Sequence, residues 1–355
     1  MAVPVAIVSF AQQPALRRSP GDEVETVQPI IRRALDEAGL RPADLGFVCS
    51  GSCDYLIGRP FSFVTALDAV GAWPPLAESH VEMDGAFAFY EAWVRLQHGD
   101  VDTALIYAFG RSSLGDLPVI LSQQLDPYTV APLFPDAVSL AALQARALLD
   151  SGRATERDFA EIACRNRQAA ADNPNAQLRA SADADTLLNA PYLREPLRVH
   201  DCPPLSDGAA AMVLATGDRA IAIAKARGVE PAWISGVDHR IDAQDLGSRD
   251  LTRAPSAKLA AERAGAGQRR LDIAELHAPF SHQELILRDA IGLGPEVVVN
   301  PSGGALAANA MMVAGLTRIG EAALRIHDGR ARRALAHATS GPCLQQNLVC
   351  VMEAR

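Results

Sequence analysis

Two rhythms of apolar and polar positions alternate along the chain. Val3–Ser9, Phe47–Ser50 and Thr103–Phe109 are short, nearly continuous apolar runs, which predict strands buried on both faces. Between them, Glu23–Gly39 carries Val27, Ile30, Ile31, Ala34, Leu35 and Ala38 at helical spacing and closes on Gly39. Ser62–Val70 and Gly85–Gln97 read as further helices and Ser79–Glu82 as a short extended segment. Strand and helix alternating in this way predict an α/β fold with a parallel sheet covered on both faces.

After Gly110 the rhythm breaks. Leu114–Pro196 holds several prolines and two helical stretches, near Asp136–Ser151 and Glu156–Asn175, with no strand pattern. It reads as an insertion covering one face. Strands resume at Ser206–Ala215 and Ala232–His239. A helix near Thr252–Gly265, a strand at Ile273–Glu275, helices at Ser281–Ile291 and Ala305–Ile326, and strands at Ala334–Thr339 and Leu348–Met352 follow. Two halves of similar rhythm imply duplication: residues 1–230, with the insertion at about 114–196, and residues 231–355.

Composition narrows the function. At 355 residues and 49% hydrophobic, the chain has ample material for a core. A net charge of -9 argues against nucleic acid as a partner. It also argues against a purely electrostatic grip on an anionic cofactor outside some local basic pocket. No apolar run is long enough to span a bilayer, and Met1–Phe10 lacks the basic start of a signal peptide. A cytoplasmic protein with reduced cysteines is therefore expected. Cys49 and Cys53 are the nearest cysteine pair, and no second pair follows at ribbon spacing, so no metal site is expected.

Four stretches carry candidate chemistry. Asn300–Leu306 (NPSGGAL) opens an apolar helix. Its glycines either let the backbone approach a ligand, with Ser302, Gly303 and Gly304 as binding residues, or make a tight strand-to-helix turn. In Glu275–Leu285 (ELHAPFSHQEL) a strand delivers His277 to its carboxyl end. There the imidazole can donate to a developing oxyanion, or it is simply a helix-entry histidine. Ser281 with Glu284 fits a capping box. Cys202, in CPPLSDGAAAMVL, is accounted for by packing and turn chemistry. Cys343, in SGPC, can shuttle protons if a partner lowers its pKa, and is otherwise inert packing.

Taken in order, HVEMDGAFAF, CPPLSDGAAA, ELHAPFSHQEL, NPSGGAL and SGPC resemble the thiolase superfamily over nearly the whole chain, and the sterol-carrier-protein thiolase type most of all. His277, Phe280, Ser281 and Glu284 match that type's His-Asp-Cys-Phe motif, while Ala278 and Pro279 replace its Asp and Cys. NPSGG is similar to the Asn-Pro-x-Gly-Gly segment that precedes the family's Gly-His-Pro. The resemblance implies a duplicated five-layer αβαβα fold with two β-α-β halves stacked on central helices. It also implies a loop domain inserted in the first half, and dimerisation through the N-terminal half.

The pattern departs from that family where covalent chemistry would sit. A thiolase carries its nucleophilic cysteine at the N-terminus of a central helix, where the dipole lowers the thiol pKa. Met83, Asp84 and Gly85 fall there instead. Asn309 and Ala310 stand where the Gly-His-Pro histidine is expected, and Asn309 can donate a hydrogen bond but cannot transfer a proton. The resemblance thus implies a thiolase-like protein that makes or breaks a carbon–carbon bond beside an acyl group, as an acyltransferase or retro-aldolase subunit without an acyl-cysteine. Its catalytic candidates are His277, Asn309, Cys343 and Asp84, with Tyr90 or Tyr128 as alternative acids. Met83 and Gly85 join Ser302, Gly303 and Gly304 as substrate-binding candidates. The competing reading is a non-catalytic acyl-CoA- or lipid-binding scaffold subunit. No covalently bound cofactor is expected, and a coenzyme A thioester is the implied substrate. Implied partners are a second copy of the chain, an OB-fold protein with a zinc ribbon, and a second, cysteine-bearing thiolase-like subunit. Tyr55–Pro75, with Phe61, Phe63 and Trp73, either forms the self-pairing surface or fills the domain's own core.

Overall fold

A strand sends successive side chains to opposite faces, so a run with no polar alternation has to be covered on both sides. The computed structural model, which describes residues 3–71, 76–180 and 182–355, shows how that cover is provided. The first part of the chain forms β1 (Val5–Gln12), α1 (Glu23–Ala38), β2 (Phe47–Gly51), α2 (Asp54–Ile57), α3 (Ser62–Leu67), β3 (Glu78–Val81), α4 (Gly85–Gln97) and β4 (Thr103–Arg111). There follow α5 (Leu117–Ser122), α6 (Ala137–Asp150), α7 (Glu156–Ala169), α8 (Ala184–Leu188), β5 (Tyr192–Arg194) and β6 (Leu197–Arg198). The chain then makes β7 (Asp207–Thr216), α9 (Gly217–Arg227), β8 (Ala232–Ile241), α10 (Pro255–Arg263), β9 (Ile273–Leu276) and α11 (Ser281–Ile291). It closes with β10 (Val298–Val299), α12 (Gly304–Ala307), α13 (Ala314–His327), β11 (Arg333–Ser340) and β12 (Gln346–Glu353).

Among the described residues ten strands form one sheet, in the order β10-β9-β11-β12-β8-β1-β7-β4-β2-β3. The order is symmetric about the β1–β8 junction, which is held by only two residue pairs, Ala6–Trp233 and Ile7–Ala232. On each side the outer three strands are parallel and the inner pairings antiparallel. The expected parallel sheet is therefore found only in the outer strands, and the sheet as a whole is mixed. β7 returns after the long excursion to lie antiparallel between β1 and β4, and β12 turns straight back on β11.

The five layers follow from the strand alternation. Val5, Ile7, Ile106 and Met212 on one side, and Ala336, Ala338, Cys350 and Met352 on the other, enclose α4 and α13 in a single central core. The opposite faces of the same strands are covered separately. Val8, Leu105, Tyr107 and Val213 pack with α1, and Leu335, Val349 and Val351 pack with α10 and α11. Residues 114–196 leave from the first half, yet α6 and α7 place Ala141, Ala145, Leu148 and Phe159 in the outer core of the second. No helix among the described residues is long and apolar enough to cross a membrane.

Several local readings change. The segment 114–196, read as two helical stretches without a strand pattern, also carries α5, α8 and the antiparallel pair β5–β6. α9 was not anticipated, although Ala220, Ile223 and Ala224 form its buried face and Gly228 caps it in the left-handed region. The single helix expected over Ala305–Ile326 is two, α12 and α13. The chain between them runs irregularly through Ala308–Val313, with Met312 at a φ of 67°. That break is what brings Asn309 to the site.

Candidate active site

Elements from both halves and from the 114–196 segment meet around a cavity of about 340 Å³. Of the candidates, Asp84, His277, Asn309 and Cys343 line it, together with Thr339, Cys202 and Gln283. Six non-glycine residues among those described have a left-handed backbone, and Met312, Cys343 and Leu344 on this wall are three of them. Strained backbone persists where the surroundings over-determine it, and it gathers at working sites.

His277 leaves the end of β9, and its backbone N–H donates to His337 O at 3.2 Å. The Thr339 backbone N–H donates to His277 Nδ1 at 3.4 Å. A backbone amide can only donate, so Nδ1 is unprotonated and the ring proton sits on Nε2. That N–H therefore donates to Asn309 Oδ1, 3.1 Å away. The Asn309 amide orientation follows: its Oδ1 is engaged, and among the described residues nothing accepts from its Nδ2. Burial, helped by the nearby Arg318 charge, pushes the His277 pKa down to about 4, so the ring is neutral at neutral pH. His277 thus orients the Asn309 side chain, leaving Nδ2 without a protein acceptor among the described residues. The Asn309 backbone is itself tied, its N–H donating to Ser206 Oγ at 3.3 Å.

Asp84 is the N-cap of α4. Its Oδ1 accepts from Ala86 N at 2.9 Å and Leu316 N at 3.1 Å, and its Oδ2 accepts from Gly315 N at 3.0 Å. One carboxylate thereby closes the N-terminal turns of both central helices, where backbone donors favour negative charge. Burial pushes its pKa up, while the three amides pull it down. Gly85, beside it, has no room for a side chain, since a Cβ there would lie 2.5 Å from the Ala108 methyl. Its N–H donates to Met312 O at 2.8 Å. Met83 and Gly85 do not line the cavity.

The cysteines on the wall are protonated thiols. Burial pushes Cys343 up to about 11 and Cys202 up to about 12. Cys343 Sγ donates to Leu140 O at 3.4 Å, and Cys202 Sγ to Arg198 O at 3.5 Å. Gln283 and His282 both reach Gln144 Oε1, at 3.0 and 3.2 Å, and Gln144 Nε2 donates to Leu251 O at 3.0 Å. This buried chain fixes α6 of the excursion against α11.

The NPSGG turn lies behind the wall. Ser302 N and Oγ both donate to Glu275, at 2.9 and 2.7 Å, and Arg318 Nη1 reaches Glu275 Oε2 at 3.1 Å and Ser302 Oγ at 2.7 Å. A Cβ on Gly303 would meet the Ala170 methyl at 2.5 Å, so the close approach these glycines permit is to residues just past α7, not to a ligand. Ser302, Gly303 and Gly304 are absent from the cavity wall. The capping box also differs. Ser281 Oγ donates to Asp201 at 2.7 Å, Glu284 accepts from Asn166 and Asn300, and it is Gln283 Oε1 that accepts the Phe280 N–H at 3.2 Å. Neither tyrosine reaches the cavity: Tyr90 packs edge-on against His239, and Tyr128 is 88% exposed. Thr339 was missed in the sequence, because its part is played by a backbone amide to which the side-chain type gives no clue. Among the described residues no three His, Cys, Asp or Glu side chains cluster as a metal site.

No protein-family model matches the chain, but individual proteins do. It is 24% identical over 234 residues to the benzoylsuccinyl-CoA thiolase subunit BbsB of Thauera aromatica, covering 58% of this chain and 60% of that one. It is 25% identical over 304 residues to an acetyl-CoA acetyltransferase of Methanothermobacter thermautotrophicus, covering 76% and 77%. With sterol carrier protein 2 of Gallus gallus the identity is 25% over 301 residues, covering 71% and 54%. The match thus spans less than two thirds of the first and third of these relatives. In three dimensions, the Ltp2-ChsH2(DUF35) aldolase structure aligns with a TM-score of 0.81 at 20% identity, over 99% of this chain and 98% of that one, a likeness that shows the fold. Sequence similarity and fold agree with the five-layer architecture described above, and the chain has a thiolase-like fold.

Proposed function

We propose that this chain is the carbonyl-polarising component of an enzyme that makes or breaks a carbon–carbon bond beside an acyl group, without an acyl-cysteine. One observation carries the reading. The relay from Thr339 N–H through His277 to Asn309 leaves the Asn309 amide as an unspent donor in a cavity lined mostly by apolar side chains. When a carbon–carbon bond breaks next to a thioester or ketone, its electron pair passes to the carbonyl as an enolate. A preorganised N–H aimed at that oxygen stabilises the charge as it forms.

The other wall groups do not complete the chemistry. Both His277 ring nitrogens are engaged, Asp84 already holds three backbone amides, and Cys343 is held as a thiol. The proton-transfer group therefore comes from the substrate or from a partner, which supports a multi-component enzyme. The relatives named benzoylsuccinyl-CoA thiolase subunit and acetyl-CoA acetyltransferase point to CoA thioesters as the substrate class. The name of the Ltp2-ChsH2(DUF35) aldolase supports aldolase-type chemistry and a companion chain.

The test is co-purification with the products of neighbouring genes, followed by assays of thioester cleavage and acyl transfer, acylphenols included. Asn309→Ala in that complex is expected to lower kcat by roughly 10²–10³ with little change in ligand affinity. Full kcat in the variant would reject the proposed role. It would then favour the second reading, an acyl-binding scaffold, for which the spent Asp84 and Cys343 already speak.

A further inference from the structure

The cavity wall is apolar through Leu117, Leu121, Leu125, Val138, Pro203 and Met311, and among the described residues no Lys or Arg lines it. The one carboxylate on the wall, Asp84, is occupied by backbone amides. Residues 112–145, which supply one side of the wall, contain Asp116, Asp126 and Asp136 and neither Lys nor Arg. Arginines stand behind the wall rather than on it, Arg167 among them, which donates to the His200 carbonyl at 3.3 Å near Cys202. Arg249 donates to the carbonyls of Pro342 and Cys343 at 3.1 and 2.5 Å. Arg318 is held by Glu275 and Ser302, and Arg194 pairs with Asp136 at 3.2 Å. A coenzyme A ester carries several phosphate charges at the end remote from its acyl group. A cavity wall without a lysine or arginine, on a chain of net charge -9, gives those charges no partner there and repels them.

Building on the acyl-site reading above, we infer that this chain recognises only the uncharged, apolar acyl or ketone part of its substrate and gives the phosphates of coenzyme A no grip. The shared chemistry is an apolar carbonyl compound. It arrives either as a molecule uncharged throughout, or as a thioester whose nucleotide end is held by another polypeptide.

The experiment compares two esters of the same acyl groups, octanoyl and phenylpropionyl, on N-acetylcysteamine and on coenzyme A. Binding to the full chain is measured calorimetrically at low and high salt. The short, uncharged ester is expected to bind tighter than the CoA ester by about threefold or more at low salt, the gap closing as salt screens the repulsion. Gln124→Arg, which places a cation on the exposed part of the wall, is expected to raise CoA-ester affinity by about fivefold and leave the short ester unchanged. A CoA ester that binds wild type about tenfold more tightly than the short ester, and is weakened by salt, overturns this inference and leaves the acyl site standing. If neither ester binds, or if the cavity-filling Ala137→Trp leaves both affinities unchanged, the inference and the acyl site fall together. Adding the co-purified partner separates the two sources: tightening of the CoA ester alone places the nucleotide on the partner, and no tightening identifies a substrate uncharged throughout.

Discussion

At the scale of single residues, the site depends on protons that stay where they are. His277 and His327 are held down to about 4, and His282 and His337 to about 3, chiefly by burial. Unfolded histidines titrate near ~6.5. Above that pH neither state is protonated and these groups contribute no slope. As the pH falls from ~6.5 toward ~4 the unfolded chain takes up protons that the folded chain refuses, so stability is lost at up to ~1.4 kcal/mol per pH unit for each histidine. Raised carboxyls such as Asp84 and Glu275 pull the other way, so the clean measurement is a difference. His282→Gln should lose about 1–2 kcal/mol less than wild type between pH 7 and pH 5 in urea unfolding. Parallel pH profiles would show that His282 does not change its proton uptake on folding. The thiols give a second expectation. Cys343 and Cys202 are protonated and buried, so intact-mass spectrometry after acetyl-CoA incubation should find no acetyl adduct. An acetyl group mapped to Cys343 would show that the environment of that thiol has been misread. The candidates His277, Asn309, Cys343 and Asp84 could be named from sequence because their side-chain types announce chemistry. Their division of labour could not, because it depends on which atoms the Thr339, Ala86, Gly315 and Leu316 amides reach.

At the scale of elements, most of the strands and helices were legible because both faces of the strands are apolar and the helices are amphipathic. Gly85–Gln97 and Ser281–Ile291 fall where periodicity placed them. The break between α12 and α13 was hidden, because Ala305–Ile326 is apolar throughout and periodicity alone does not mark where an apolar run leaves the helix. The NPSGG turn misled for a related reason. Glycines signal close approach but do not say what approaches, and here it is residue 170, just past α7. What holds the turn is the buried Glu275–Arg318 pair, with Ser302 between its partners. Removing one member of such a pair strands the other charge, at a cost of about 3–5 kcal/mol, whereas replacing both with well-packed apolar groups costs far less. Arg318→Met should therefore destabilise strongly, and the double variant Glu275→Leu/Arg318→Met should recover much of the loss. Thermal and urea unfolding of the three chains reads this directly. Equal stability of the single and double variants would mean that the two charges are not coupled.

At the scale of the whole molecule, the sheet ends on β3, which pairs only with β2 among the described residues. An edge strand presents unpaired backbone groups and needs a charge, a cover or a partner. Beside it, Tyr55 and Phe61 are each 67% exposed and Val64 is 54% exposed, while Phe63 stacks on His80 of β3 at 4.5 Å. Of the two readings of Tyr55–Pro75, own core or pairing surface, the exposed Tyr55 and Phe61 favour the second; Trp73 and Pro75 lie outside the described residues. Large apolar side chains left on a surface beside an open sheet edge are what a self-complementary interface buries, and a two-fold axis at β3 would continue the sheet from one copy into the next. The expected outcome is a dimer in size-exclusion chromatography with light scattering at micromolar concentration. Phe61→Glu with Val64→Glu should convert it to a monomer, because both charges would have to be desolvated at the interface while costing the exposed sites of the isolated fold little. A wild-type chain that is monomeric across that range rules out pairing through this edge, and a double variant that remains dimeric moves the interface elsewhere.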